Sequence, residues 1–177
     1  IYKLSKNIII MEYIPGKSLD TIKKNTEHYK YHLYIYVFSN NNLLLNDFNH
    51  GDLYFGHKES KAFVNEQEIQ VSSLSLKNES TLVTGIPAKT NYSDDEFSSL
   101  ISTFQSWKKI RMIGSAAMAA VYVAAGKAET YQENGIFLWD IAAGAAIVNA
   151  AGGIALINNF QSDYRVDAKF SNNQIEE

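Results

Sequence analysis

Leu138-Trp139-Asp140-Ile141-Ala142-Ala143-Gly144-Ala145-Ala146-Ile147-Val148-Asn149-Ala150-Ala151-Gly152-Gly153 is the most informative stretch of this 177-residue chain. It reads as a helix. An Asp at its mouth gains from the free N–H groups and the positive end of the helix. Gly152-Gly153 supplies a double-glycine C-cap, and the small residues between allow close helix packing. Two readings of Asp140 stand side by side. It is an ordinary N-cap on a packed helix, or a rigidly held ligand for a hard cation.

Working outward, the second half alternates helices with strands. Ser93-Asp94-Asp95-Glu96 starts a helix that runs to about Ser106, with acidic residues in its first turn. Ile110 to Ile113 reads as a strand. Gly114-Ser115 opens an alanine-rich helix ending at Gly126, and a short strand begins at Thr130 or Tyr131. Ile154 to Ile157 is a further strand, and Ser171 to Glu177 reads as a frayed polar tail. The first half reads as strands and turns. Tyr34 to Leu45 is a hairpin around Ser39-Asn40-Asn41-Asn42. Asp47 to Gly51 turns into Leu53-Tyr54-Phe55. Ala62-Phe63-Val64 and Glu68 to Val71 flank Asn65-Glu66-Gln67, and Ser80 to Thr84 follows. The pattern predicts a mixed α/β domain.

The stretch at 138–153 resembles the second signature of the inositol monophosphatase family, W-D-x-A-A-G-x-x-I-x-x-x-A-G-G. A second block, Arg111-Met112-Ile113-Gly114-Ser115-Ala116-Ala117 with Tyr122-Val123-Ala124, Gly126 and Tyr131, is similar to the family's R-x-x-G-S-A-A…Y-V-A-x-G-x-x-D-A-Y. Glu129 stands where the family usually has Asp. A third block, Asp52-Leu53-Tyr54-Phe55 through Ala62-Phe63-Val64-Asn65 to Ile69-Gln70-Val71-Ser72, resembles the family's hairpin ending in A-x-x-N-G-x-x-I-x-V-S, with Glu66 in place of the usual glycine. The resemblance covers about Tyr34 to Ile157.

The resemblance implies a layered α-β-α-β-α sandwich and Mg²⁺-dependent hydrolysis of phosphate monoesters. Asp140 matches a metal ligand. Glu133 matches the acidic residue that contacts substrate hydroxyls. Gly114, Ser115 and Ala116 match the helix mouth lining the substrate pocket, where a helix N-terminus suits an anionic ester. The expected substrate is a small polyol or nucleotide phosphate, the expected cofactor Mg²⁺, and the expected association a homodimer. The family's first metal motif, D-P-x-D-G-T, is not found. An ungapped reading puts Tyr13, Gly16 and Ser18 at its aspartates and threonine, with Lys17 inside the loop. The upstream glutamate pair would lie before Ile1, and Glu12 and Asp20 are the nearby carboxylates. A single carboxylate is a poor Mg²⁺ site, because Mg²⁺ needs near-octahedral oxygen ligation. A catalytically inactive homologue serving binding or oligomerisation is therefore a competing expectation. The expected organisation is a degenerate segment 1–33, a family-like domain 34–170 and a polar tail 171–177.

Another resemblance touches the N-terminal third. Asn7 to Leu19 resembles the hinge strand of small-molecule and lipopolysaccharide kinases, and His50-Gly51-Asp52-Leu53 is similar to their H-G-D-L. His57 stands where their metal-binding Asn belongs, and no Asp-Phe-Gly-like segment follows. A kinase-like segment joined to a phosphatase-like one is the reading this leaves. Gly16-Lys17-Ser18 is no P-loop, since no glycine lies five residues earlier.

Composition excludes other chemistry. The chain has no cysteine, which removes disulfides, zinc–thiolate sites and cysteine nucleophiles. Its formal net charge of −3 gives no general attraction to nucleic acid or anionic membranes. No apolar run reaches a membrane-spanning length. Tyr29, Tyr31, Tyr34 and Tyr36 suggest base stacking, but hairpin alternation accounts for them and few basic residues accompany them. The four histidines show no metal-ligand spacing. Ile1 opens the chain and no signal peptide is read, so a cytoplasmic protein whose natural chain begins upstream is expected.

Overall fold

The computed structural model describes residues 2–4, 7–11, 35–39, 42–47, 50–57, 61–86 and 91–175. Seven strands form the first sheet: β1 (Tyr2–Leu4), β2 (Asn7–Met11), β3 (Ile35–Ser39), β4 (Asn42–Asp47), β5 (Asp52–His57), β6 (Ala62–Val64) and β7 (Gln67–Ile69). They lie in sequence order, each antiparallel to the next. The expected first hairpin is β3–β4, with Phe38 opposite Leu43 and Ser39 opposite Asn42. The two-residue turn between β6 and β7 puts Asn65 at φ 46° and Glu66 at φ 68°. Both central residues at positive φ make the mirror-image turn whose twist suits a hairpin. Asn65 fastens the turn to β5, donating to Asp52 Oδ1 at 2.7 Å and accepting from Leu53 N–H at 2.8 Å.

The kinase-like His50-Gly51-Asp52-Leu53 sits in and after the β4–β5 turn. Asp47 and Asp52 are ladder partners, and His50 Nδ1 lies 2.7 Å from Asp47 Oδ2. Those side chains close a hairpin. Asn7 to Met11 is β2, while the rest of the kinase-like stretch, with Glu12, Tyr13, Gly16, Lys17, Ser18 and Asp20, lies outside the described residues, as do Tyr29, Tyr31 and Tyr34.

The second sheet joins β8 (Thr81–Thr84), β9 (Lys109–Arg111), β10 (Thr130–Phe137), β11 (Ile154–Asn158) and β12 (Arg165–Ser171) in the order β11-β12-β10-β8-β9. β8 runs parallel to β9 and β10, and β12 is antiparallel to β10 and β11. Between the sheets lie α2 (Ala116–Ala124) and α3 (Leu138–Ala150), packed on each other and on strands of both sheets. They are apolar nearly all round, and a helix of that kind belongs in a core. Small residues set their separation. A Cβ on Gly144 would come within 2.4 Å of the Ala120 Cβ, and one on Gly56 of β5 would come within 3.0 Å of the Ile147 backbone. α1 (Asp94–Gln105) starts at a capping box made by Ser93 and Glu96 and lies over the outer face of the second sheet. The described layers thus run sheet, helices, sheet, helix, four layers of the expected α-β-α-β-α order. No helix among the described residues is long and apolar enough to cross a membrane.

Three details differ from the sequence reading. β10 is eight residues long rather than short. β12 is a strand beyond those the sequence pattern predicts, although its alternation is clear: Val166, Ala168 and Phe170 are buried on one face. Ser171 ends that strand and Asn172 is buried, donating to the Ser72 and Leu74 carbonyls, so fraying does not begin at Ser171.

Candidate functional site

Gly114 adopts φ 78°, a left-handed conformation natural to glycine, and turns the chain from β9 into α2. Ser115 is the N-cap, its hydroxyl accepting from Met118 N–H at 3.3 Å. The amides of Ala116 and Ala117, at the first two helical positions, have no acceptor within the helix. The positive end of α2 therefore opens onto a cavity of about 540 Å³, lined by Gly114, Ser115 and Ala116 among others.

Glu133 reaches the same cavity from β10. Tyr131, two residues earlier on the same face, donates its hydroxyl to Glu133 Oε2 at 3.1 Å. The carboxylate lies directly over Gly85, where any Cβ would come within 2.3 Å of Oε2. Burial holds the Glu133 carboxyl above the usual carboxylate range; the Asp140 charge adds to this and the Tyr131 hydrogen bond opposes it. Just beyond Glu133 the ladder slips at a bulge, where Gly135 adopts φ 67° and its N–H donates to Asp167 Oδ1 at 2.9 Å.

Asp140 lines the cavity from the first turn of α3. It is not the cap. Phe137 occupies the N-cap with no side-chain bond, and Asp140 is the third helical residue. The Leu138 N–H donates to the Tyr164 carbonyl at 3.0 Å, tying this helix start to the β11–β12 loop. At the other end, Gly152 N–H bonds the Asn149 carbonyl and Gly153 N–H the Val148 carbonyl, with Gly152 at φ 89°. That is the Schellman pattern expected of a double-glycine cap.

All five residues singled out from the sequence, Gly114, Ser115, Ala116, Glu133 and Asp140, face one cavity. Sequence reasoning missed Gly85, Phe137 and Arg165, which line it too. Gly85 carried a signal, a glycine directly after a strand and two residues before Pro87. Glu129, at the family's Asp position, is buried and serves the sheet: Thr81 N–H donates to its Oε2 at 2.6 Å. Among the described residues, no group of three or more His, Cys, Asp or Glu side chains could hold a metal ion. Asp140 and Glu133 offer two carboxylates, and Mg²⁺ calls for a fuller set of oxygens. The described residues do not fit a complete Mg²⁺ site, and no hydrolytic step through a metal follows from them.

Two sheets enclosing a small-residue helix pair, with acidic side chains and a helix N-terminus at one cavity, define a layered α/β sandwich protein. The sequence matches the model of the inositol monophosphatase family over residues 43–166, and the chain belongs to that family. Inositol monophosphatase 2 of Saccharomyces cerevisiae is 34% identical over 117 residues, covering 60% of this chain and 40% of the yeast protein. Nus factor SuhB of Xylella fastidiosa is 34% identical over 103 residues, covering 58% and 38% respectively. The chain thus spans about two-fifths of the length of these relatives. The inositol monophosphatase structure from Anabaena (Nostoc) sp. PCC 7120 superposes with a TM-score of 0.71 at 23% identity, covering 95% of this chain and 68% of that one. Inositol monophosphatase II of Staphylococcus aureus gives a TM-score of 0.70 at 19% identity, covering 94% and 63%.

Proposed function

We propose that the cavity binds a small phosphorylated polyol or nucleotide and belongs to a Mg²⁺-dependent phosphomonoesterase. The observation that carries this is the convergence of the α2 N-terminus, Glu133 and Asp140 on one cavity. The amides at the mouth of α2 would receive the phosphate oxygens. Glu133 would accept hydrogen bonds from substrate hydroxyls. Asp140 would be one carboxylate towards a cation. Mg²⁺ held there would polarise the phosphoryl group and lower the pKa of water, its further oxygen ligands coming from outside the described residues. On this reading residues 34–170 form the family unit. A second reading, a homologue that binds without hydrolysing, is favoured by the absence of a three-ligand group among the described residues.

The test is phosphate release from inositol 1-phosphate with Mg²⁺, alongside calorimetric binding of the same ester. Release that is lost in Asp140→Asn and reduced in Glu133→Gln supports the phosphatase. Saturable binding without release, weakened by Glu133→Gln, supports the binding homologue. No binding overturns both.

A further inference from the structure

We propose that Arg165 is the specificity-determining residue of this cavity and selects ligands carrying a second acidic group besides the phosphate. The inference rests on the proposed phosphate-ester site and names its substrate class more narrowly.

Charge is distributed unevenly around the cavity. Glu133 and Asp140 are its carboxylates, and Arg165 is the single cationic side chain among the described residues that line it. An acidic group away from the α2 mouth is repelled by the two carboxylates and drawn to Arg165, whose charge Asp163 offsets only in part at this exposed pair. The guanidinium is also held in place. Its Nε donates to Asp163 Oδ2 at 2.8 Å, while Arg165 N–H donates to Asp163 Oδ1 at 3.2 Å. Its central carbon lies 5.9 Å from the centroid of the Phe137 ring, and Phe137 is the ladder partner of Arg165. Only one edge of the fork is used by Asp163, and its other N–H groups have no hydrogen-bond partner among the described residues. Arginine presents five donors in a planar fork, so a carboxylate or phosphate can still be gripped by two of them. The pair is half exposed, at 49% for Arg165 and 46% for Asp163. Such a pair adds little stability. What it does is aim the guanidinium, and that exposure leaves the side chain within reach of a ligand.

The test is calorimetric titration with inositol 1-phosphate and inositol 1,4-bisphosphate. The wild-type chain is expected to prefer the bisphosphate by about tenfold at low salt, as a charge-assisted contact allows. Raising KCl should shrink that preference. Arg165→Ala should bring the bisphosphate affinity down to that of the monophosphate with little change in Tm, because the side chain is at the surface. Arg165→Lys should restore part of the preference, the charge being kept and the fork lost. A bisphosphate preference that survives in Arg165→Ala, or none in the wild type, overturns the inference while leaving the phosphate-ester site standing. Failure of both probes to bind the wild type overturns the site itself.

Discussion

Replacing Gly144 with alanine would test how closely the two central helices pack. The new Cβ would sit 2.4 Å from the Ala120 Cβ, with the Ala117 carbonyl oxygen 3.8 Å away. Carbon atoms of this kind rest about 3.5–4.0 Å apart, so α2 and α3 would have to part by roughly 1 Å. Neither helix has room, since Ala117, Ala120, Val121, Ile141, Ile147 and Val148 are all buried between the sheets. Overpacking costs about 1–3 kcal/mol, and two backbone-anchored Cβ atoms this close belong at the upper end. Alanine's helix propensity offsets about 1 kcal/mol of that. The expected net loss is about 2 kcal/mol, a fall in Tm of about 4–8 °C for a chain of this size. Thermal and urea unfolding of wild type, Gly144→Ala and the double variant Ala120→Gly/Gly144→Ala would measure it. The double variant, with the opposing methyl removed, should regain most of the loss. A single variant at least as stable as wild type, showing only the helix-propensity gain, would refute this packing.

Other substitutions probe the site and the sheets. Glu133 has its folded pKa raised, chiefly by burial. It therefore contributes most below the usual carboxylate pKa, and that contribution is lost as pH rises through the folded value. Glu133→Gln should accordingly gain on wild type as pH rises above the usual carboxylate pKa in urea unfolding, and a constant difference would contradict the burial. The hydroxyl of Thr130 is the single buried side-chain polar atom without a hydrogen-bond partner among the described residues. Thr130→Val should raise stability by about 1 kcal/mol, and a loss would show that the hydroxyl is satisfied in solution. Glu66 holds φ 68° in the β6–β7 turn. A left-handed backbone costs a non-glycine residue about 1–2 kcal/mol and glycine repays part of this in entropy, so Glu66→Gly should stabilise by about 0.5–1 kcal/mol in the same assay.

Much of this architecture can be read from local chemistry. Gly114-Ser115 and Gly152-Gly153 bracket their helices through conformations that glycine and a hydroxyl N-cap favour, so both ends stand near where the sequence puts them. That Glu133, Asp140 and Gly114 to Ala116 line one cavity follows from local pattern as well, since a helix mouth and a strand running into a helix can both be read there. Other features depend on contacts between distant segments. Asp140 looks like a cap in sequence, yet the chain enters α3 at Phe137 because the Tyr164 carbonyl receives the Leu138 amide. β10 continues past a bulge at Gly135 that Asp167 clamps from β12, and then pairs Ile136 and Phe137 with that strand. β12 itself alternates cleanly, with Arg165, Asp167 and Lys169 interleaved with the buried Val166, Ala168 and Phe170, but of its partner strands β10 and β11 the first comes from a distant segment. Glu66 departs from the expected glycine and still forms the turn, because Asn65 is tied to both Asp52 and Leu53.

The most direct measurement is a titration of the ¹⁵N-labelled chain with inositol 1-phosphate, followed by amide shifts. Saturable changes at Ser115, Ala116, Ala117, Glu133 and Gly135, reached only at higher ligand concentration in Glu133→Gln, are the expected result. A second cavity of about 550 Å³ lies across the sheet under α1, lined by Ser102, Thr103, Trp107, Gln132 and Lys169. Shifts gathered there, or no saturable shifts at all, would contradict the assignment of the phosphate-ester site to the mouth of α2.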